Sequence, residues 1–275
     1  MEIDNIDRTG ASGPLTQADV ERLRFSEGIT TLHALRPSLT LDFRDNPAHP
    51  RRGWYATGYG EYERSLGGEG QRALGGLLPA SDIHTNLIKA AGTLSAYLPI
   101  GQASTLALSA RGGRVWPLDS ASTTIVPRRF FMGGATTMRG FAEEQMIQED
   151  MRPVLAREAQ LCATSPTSAG CTDRGREIAQ GKTAVSEGGE AFLLGKAELR
   201  LSFTSSLEAG VFVDVGNLWL DPALMDMGRL RANAGFGLRF VTPVGPAALD
   251  FGFNLSPDQR INEPSFAPHF TIGLF

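Results

Sequence analysis

Apolar and polar residues alternate at period two through most of this chain, as strands with one apolar and one polar face require. Leu39, Leu41 and Phe43 share one side against Thr40, Asp42 and Arg44, and Leu106, Leu108 and Ala110 oppose Ala107, Ser109 and Arg111. Ala197, Leu199, Leu201 and Phe203 oppose Lys196, Glu198, Arg200 and Ser202. Val211, Val213 and Val215 oppose Gly210, Phe212 and Asp214. The pattern continues with Ala234, Phe236, Leu238 and Phe240 against Asn233, Gly235, Gly237 and Arg239. Leu249, Phe251, Phe253 and Leu255 then face away from Ala248, Asp250, Gly252 and Asn254. The chain ends with Phe270, Ile272 and Leu274 against Thr271, Gly273 and Phe275. These runs predict about nine strands, near 35–45, 53–64, 84–98, 103–116, 190–204, 207–217, 229–242, 246–256 and 266–275. A polar segment, 1–34, precedes them and is expected to be a short helix, capped over 16–25, or disordered. No hinge composition divides 35–275, which is read as one β domain interrupted by a long loop at 117–189.

The polar faces carry full charges in mid-strand, among them Lys196, Glu198, Arg200, Asp214, Arg239 and Asp250. A soluble β-sandwich also alternates, with its polar face outward. Two details favour a membrane barrel instead. The apolar faces are nearly uniform aliphatic and phenylalanine stripes, which a lipid-facing band needs. The connections also alternate in length: 242–246 is a tight Pro- and Gly-containing turn, whereas 117–189 and 217–230 are long. The predicted fold is therefore all-β, an antiparallel transmembrane β-barrel.

Composition constrains this picture without overturning it. The chain has 275 residues, 41% of them hydrophobic, and a net charge of −4. Its mean hydropathy, −0.13, is that of many soluble proteins, but barrel strands are half polar and carry a weak signal each. No run approaches the roughly 18 to 20 apolar residues of a spanning helix, so helical spans are excluded. The mild acidity argues against nucleic acid as a partner. Many of the 32 glycines fall inside strand-like runs, where they suit bulges and strand bends. Residues 1–32 lack a basic start followed by an apolar stretch, so no signal peptide is visible. A secreted barrel requires one, and the expectation is that the chain is a C-terminal fragment. Cys162 and Cys171 share one polar loop, which suits a local disulfide in an oxidising compartment. Closing so short a loop would stabilise it by roughly 2.5 kcal/mol on the chain-entropy model. Two free thiols are the alternative.

Three motifs stand out. Phe130-Phe131-Met132-Gly133-Gly134-Ala135-Thr136-Thr137-Met138-Arg139-Gly140-Phe141 puts a glycine pair and a lone arginine at the mouth of the long insertion. Phe212-Val213-Asp214-Val215-Gly216 carries a carboxylate on the polar face of a strand, and Glu198 lies on the same face of the strand before it. Arg44-Asp45-Asn46-Pro47, followed by Pro50 and Gly53, reads as a hairpin turn.

Together these motifs resemble the BamA/TamA superfamily of outer-membrane assembly barrels, over about 35–275. The resemblance implies the C-terminal portion of a barrel whose long loop folds back into the lumen. There Arg139, with Gly133, Gly134, Gly140 and Phe141, would be anchored by Asp214 and Glu198. A guanidinium bridging two carboxylates makes directional, charge-assisted bonds that could pin a loop in a wet cavity. The final segment, with Phe270, Ile272, Gly273 and the terminal Phe275, resembles the assembly signal and gate strand of such barrels, which act by β-augmentation. Some members carry a similar cysteine pair in the same loop. The resemblance further implies a bacterial outer-membrane location, with lipids and unfolded outer-membrane proteins as partners, together with accessory lipoproteins. It implies no cofactor. The expected function is assembly and insertion of other outer-membrane proteins, with protein secretion or a plain channel as alternatives. An enzyme is not expected: His33, His49, His84 and His269 are scattered and no nucleophile elbow or phosphate loop is present, while charges such as Asp42 and Glu61 are the alternative, as an acid–base pair at a barrel rim.

Overall fold

The computed structural model describes residues 32–65, 84–204, 206–242 and 245–272. Among these residues ten strands form one sheet: β1 (Leu32–Leu35), β2 (Ser38–Asp42), β3 (Gly53–Ser65), β4 (Asn86–Ile100), β5 (Ser104–Pro117), β6 (Ala191–Ser202), β7 (Leu207–Trp219), β8 (Arg231–Thr242), β9 (Gly245–Asn254) and β10 (Phe266–Ile272). Two helices, α1 (Arg152–Thr164) and α2 (Asp173–Ala179), lie between β5 and β6. Every strand pairs antiparallel with its neighbour in the order β1-β3-β4-β5-β6-β7-β8-β9-β10. β2 also pairs with β3, next to β1, so the two share one position broken at Arg36 and Pro37. Proline has no N–H to give a ladder and forces such a break. Nine strand positions result, as the alternation predicts. Leu32, the first described residue, is already paired, ahead of the expected boundary, while the helix expected over 16–25 lies outside the described residues.

The faces of the sheet are reversed relative to a soluble sandwich. Leu94, Leu98, Val211, Val213, Phe236, Phe240, Phe253, Phe270 and Ile272 are exposed, whereas Glu198, Asp214, Arg239 and Asp250 on the opposite face are buried. Only lipid makes that arrangement favourable, because apolar side chains left in water forgo about 1.5–3 kcal/mol each. Aromatic contacts such as Phe236–Phe251 and Phe253–Phe266 continue the outer stripe from β8 to β10. The sheet curls far enough for His49, in the turn before β3, to meet Glu208 of β7 at 2.8 Å. Among the described residues β10 does not pair with β1 or β2, so the sheet is open along that line.

Among the described residues, connections 43–52 and 101–103 lie at one end of the strands, and 118–190, 220–230 and 255–265 lie at the other. This is the short-turn, long-loop rhythm of outer-membrane barrels. The turn 43–52 is built as its sequence predicts. Asp45 Oδ1 accepts from the backbone N–H groups of Asn46, Arg51 and Arg52, and Asn46 Oδ1 accepts from Ala48 and His49. Gly53 closes it at φ +104°, where a Cβ would sit 2.1 Å from Phe43 O.

The long insertion differs from the expected irregular loop, since it carries α1 and α2. Leu155, Ala156 and Ala159 of α1 pack with Ile178 of α2, Ile147, Ala184 and Ile261, the last from the β9–β10 loop. Cys162 and Cys171 form a disulfide across the turn between the helices, and Arg174 forks onto Glu158. A compact cap therefore sits at the long-loop end. It holds the far side of the insertion while the near side descends inside the sheet.

Candidate functional site

The descending segment starts with an anchor that no local motif announces. Arg128 bonds to Glu63 of β3 through Nε and Nη2 at 2.8–3.1 Å, and it also pairs with Glu61. Lys89 of β4 donates to Arg128 O at 2.5 Å and lies over the Phe130 ring. Below this point Phe130, Met132, Met138, Phe141 and Met146 pack against Leu87, Val115, Phe192, Leu194 and Leu218, which line the inner face. An apolar knot thus fills the upper lumen.

The glycine pair shapes the tip. Gly133 and Gly134 have φ of +113° and +99°, and a Cβ on Gly134 would lie 1.7 Å from the Glu143 carboxylate. Only glycine takes such angles at no steric cost. The reversal is closed by Gly134 N donating to Phe141 O (3.0 Å) and by Thr137 Oγ1, which accepts from Gly133 N and donates to Gly133 O. Arg111 donates to Thr136 O at 3.0 Å, and the Lys196 ammonium reaches Ala135 O at 3.4 Å, so the tip is held from β5 and β6.

This geometry delivers Arg139, which is 2% exposed, to a carboxylate cluster. Its Nε and Nη2 fork onto Asp214 at 3.0 and 2.6 Å, and its backbone N–H adds a third bond to Asp214 at 3.1 Å. Nη1 donates to Glu198 Oε2 at 2.7 Å and lies 3.7 Å from Asp250. The guanidinium stacks on Phe212 with its carbon 3.4 Å from the ring centroid. Arg200 and Arg239 hold Glu198 from the other side, at 2.8 and 2.9 Å. The bonds to Asp214 and Glu198 offset the desolvation of the Arg139 guanidinium, which a buried pair needs if it is not to destabilise the fold. Both predicted carboxylates, Asp214 and Glu198, are thus brought onto Arg139.

Gly140 and Phe141 complete the anchor on the other flank. Asn233 of β8 accepts from Gly140 N at 2.9 Å in the amide orientation that satisfies both its ends. A Cβ on Gly140 would lie 2.6 Å from the Asn233 side chain, and one on Gly252 would lie 1.8 Å from Arg139 O. Loop and wall therefore meet backbone to backbone. Arg231 covers the Phe141 ring at 4.7 Å and pairs with Glu263 of the β9–β10 loop.

The remaining predicted residues lie elsewhere. Phe270 and Ile272 are exposed on the outer face of β10, away from the clasp, and Gly273 and Phe275 lie outside the described residues. Cys162 and Cys171 belong to the cap. Asp42 and Glu61 are not paired with each other but are held by Arg44 and Arg128 respectively. Sequence reasoning missed Arg128, Arg239, Asp250, Asn233 and His269. The inward parity of the last four was visible in the alternation, but their partner in the distant loop was not.

A curled sheet with lipid-type stripes outside and an arginine-clasped loop inside is a distinctive arrangement, and the whole chain carries the corresponding sequence pattern. The family model described as the Omp85 superfamily domain matches residues 11–275. The chain belongs to the Omp85 superfamily. Its fold is similar to that of BamA from Haemophilus ducreyi, solved without POTRA domains 1–3, with a TM-score of 0.58 at 17% sequence identity. That match covers 86% of this chain and 42% of the BamA chain, so the present chain spans less than half of it. As an Omp85 barrel the protein resides in the bacterial outer membrane.

Proposed function

We propose that this Omp85 barrel inserts and folds other outer-membrane proteins, by offering a strand edge on which incoming strands form their backbone ladder. The observation that carries the reading is the Arg139 clasp. It fixes a long loop inside the barrel, where a diffusion channel or a passenger conduit needs open space. The free edge of β10 supports the templating step, because it presents N–H and C=O groups without a strand partner among the described residues. Unfolded outer-membrane proteins are the clients, the outer apolar stripe meets the lipid, and accessory lipoproteins are further partners on this reading. No cofactor and no chemical step are required.

The test is genetic. In cells whose only copy carries Arg139→Ala or Asp214→Ala, the barrel should still reach the membrane while the levels of other outer-membrane proteins fall. Normal levels in both variants, with the mutant barrel present at wild-type amount, would overturn the proposal.

A further inference from the structure

Arg139 works in two directions. Its side chain points to β6 and β7, while its carbonyl oxygen points to the opposite side of the clasp, against β9 and β10. There the oxygen lies flat over Gly252, and the Nε2 of His269 on β10 stands 2.9 Å from it, placed to donate. His269 pairs with Asp250 across the β9–β10 ladder, and its side chain turns inward, between the outward-facing Pro268 and Phe270. Among the described residues the strand that carries it runs from Phe266 to Ile272 and is supported by β9 on one side. Its outer face is held by the Phe251 and Phe253 contacts to Phe266, near one end. The His269 bond ties the middle of the strand to the loop.

We infer that His269 is a positioning residue through which the luminal loop holds β10 in register. While the clasp is closed, Arg139 O is fixed by the bonds that its own side chain and N–H make to Asp214 and Glu198. His269 then finds an immobile acceptor, and β10 stays on β9. When the clasp opens, the acceptor moves with the loop and the strand loses its inner tie. The state of the loop is thereby transmitted to the sheet edge that the assembly reading assigns to incoming strands. The contact itself stands apart from that reading, but its use in assembly rests on it.

The test compares His269→Leu, which removes the donor, with His269→Gln, which keeps an N–H donor on a side chain of similar reach. Amide hydrogen exchange is followed in the membrane-embedded protein. His269→Leu should speed exchange over 266–272 by about fivefold, the factor expected for the net loss of one hydrogen bond. Exchange over 231–240 should stay unchanged, and His269→Gln should restore 266–272. Arg139→Ala should speed the same segment, and adding His269→Leu to it should give little more, since both act through one contact. Unchanged exchange of 266–272 in His269→Leu, or full additivity of the pair, would overturn the inference. Client assembly is scored in the same strains. Loose β10 with normal assembly in His269→Leu, in a strain background where Asp214→Ala does impair assembly, would overturn the role of the contact in assembly. Normal assembly in Asp214→Ala as well would be a failure of the assembly reading, leaving the exchange result to judge the contact alone.

Discussion

At the scale of single residues, the clasp depends on geometry as much as on charge. Arg139 serves Asp214 as a fork and Glu198 through a second edge, while its flat face covers Phe212. Lysine keeps the charge but has neither the fork nor the plane. Arg139→Lys should therefore behave much more like Arg139→Ala than like wild type. Removing one partner of a buried, hydrogen-bonded pair typically costs about 3–5 kcal/mol, and the burial of Arg139 and Asp214 puts this site in that class. Gly252→Ala provides a charge-neutral comparison, because its methyl group would collide with Arg139 O at 1.8 Å. It should weaken the clasp comparably. Thermal unfolding in detergent, followed by the heat-dependent gel shift of the barrel, reads both variants. A Gly252→Ala protein as stable as wild type would mean that loop and wall are less closely apposed than described.

At the scale of elements, the cap and the β9–β10 loop work as one unit outside the membrane. Asp258 links them, accepting from Arg260 and from Arg152 of α1. The Arg260 fork, opposed by burial, holds its carboxyl down to about 2, below the ordinary 3.8. A depressed carboxyl pKa contributes stability that is complete above the unfolded value and fades as pH falls through the folded one. The loop should stay docked at pH 5 and loosen between about pH 4 and 2. Arg260, which makes that fork, is largely exposed to solvent, so the effect should be small and salt-sensitive. Limited pepsin digestion across that range checks it: cleavage within 255–265 should increase toward pH 2 and should not do so in Asp258→Asn, which is already loosened. Pepsin cleavage that rises equally in both proteins would contradict the role given to Asp258.

The elements also show how far the sequence could be read. Strands were legible because lipid outside and a charged lumen inside force a strict alternation, as in 197–203 and 234–240. The helices were not. In α1 the inward positions Leu155, Ala156, Ala159 and Cys162 follow helical spacing, but three of the four are small, and the flanking serines and glycines hide the stripe. α2 is seven residues long, too short for periodicity to show. Asp214 and Arg139 were legible through paired motifs. Arg128, by contrast, has nothing local to mark it, since its partners on β3 lie more than sixty positions earlier and are joined to it only by the fold. The inner tie of His269 was hidden for the same reason.

The whole molecule joins a lipid-facing exterior to an interior that the protein fills with its own chain. The sheet supplies the wall, the methionine-rich knot fills the upper lumen, and the guanidinium below it fixes the loop against β6 to β10. Omp85 membership and the outer-membrane location follow from the chain as a whole, whereas the proposed assembly of clients rests on the loop being held where the structure has it. Amide exchange over 138–141, measured on the protein in lipid, tests that placement most directly. A clasped loop should show strong protection there in the wild type, comparable with the neighbouring wall strand β7. In Asp214→Asn, 138–141 should be released while β7 keeps its protection. Exchange of 138–141 in the wild type at the rate of an open surface loop would contradict that placement.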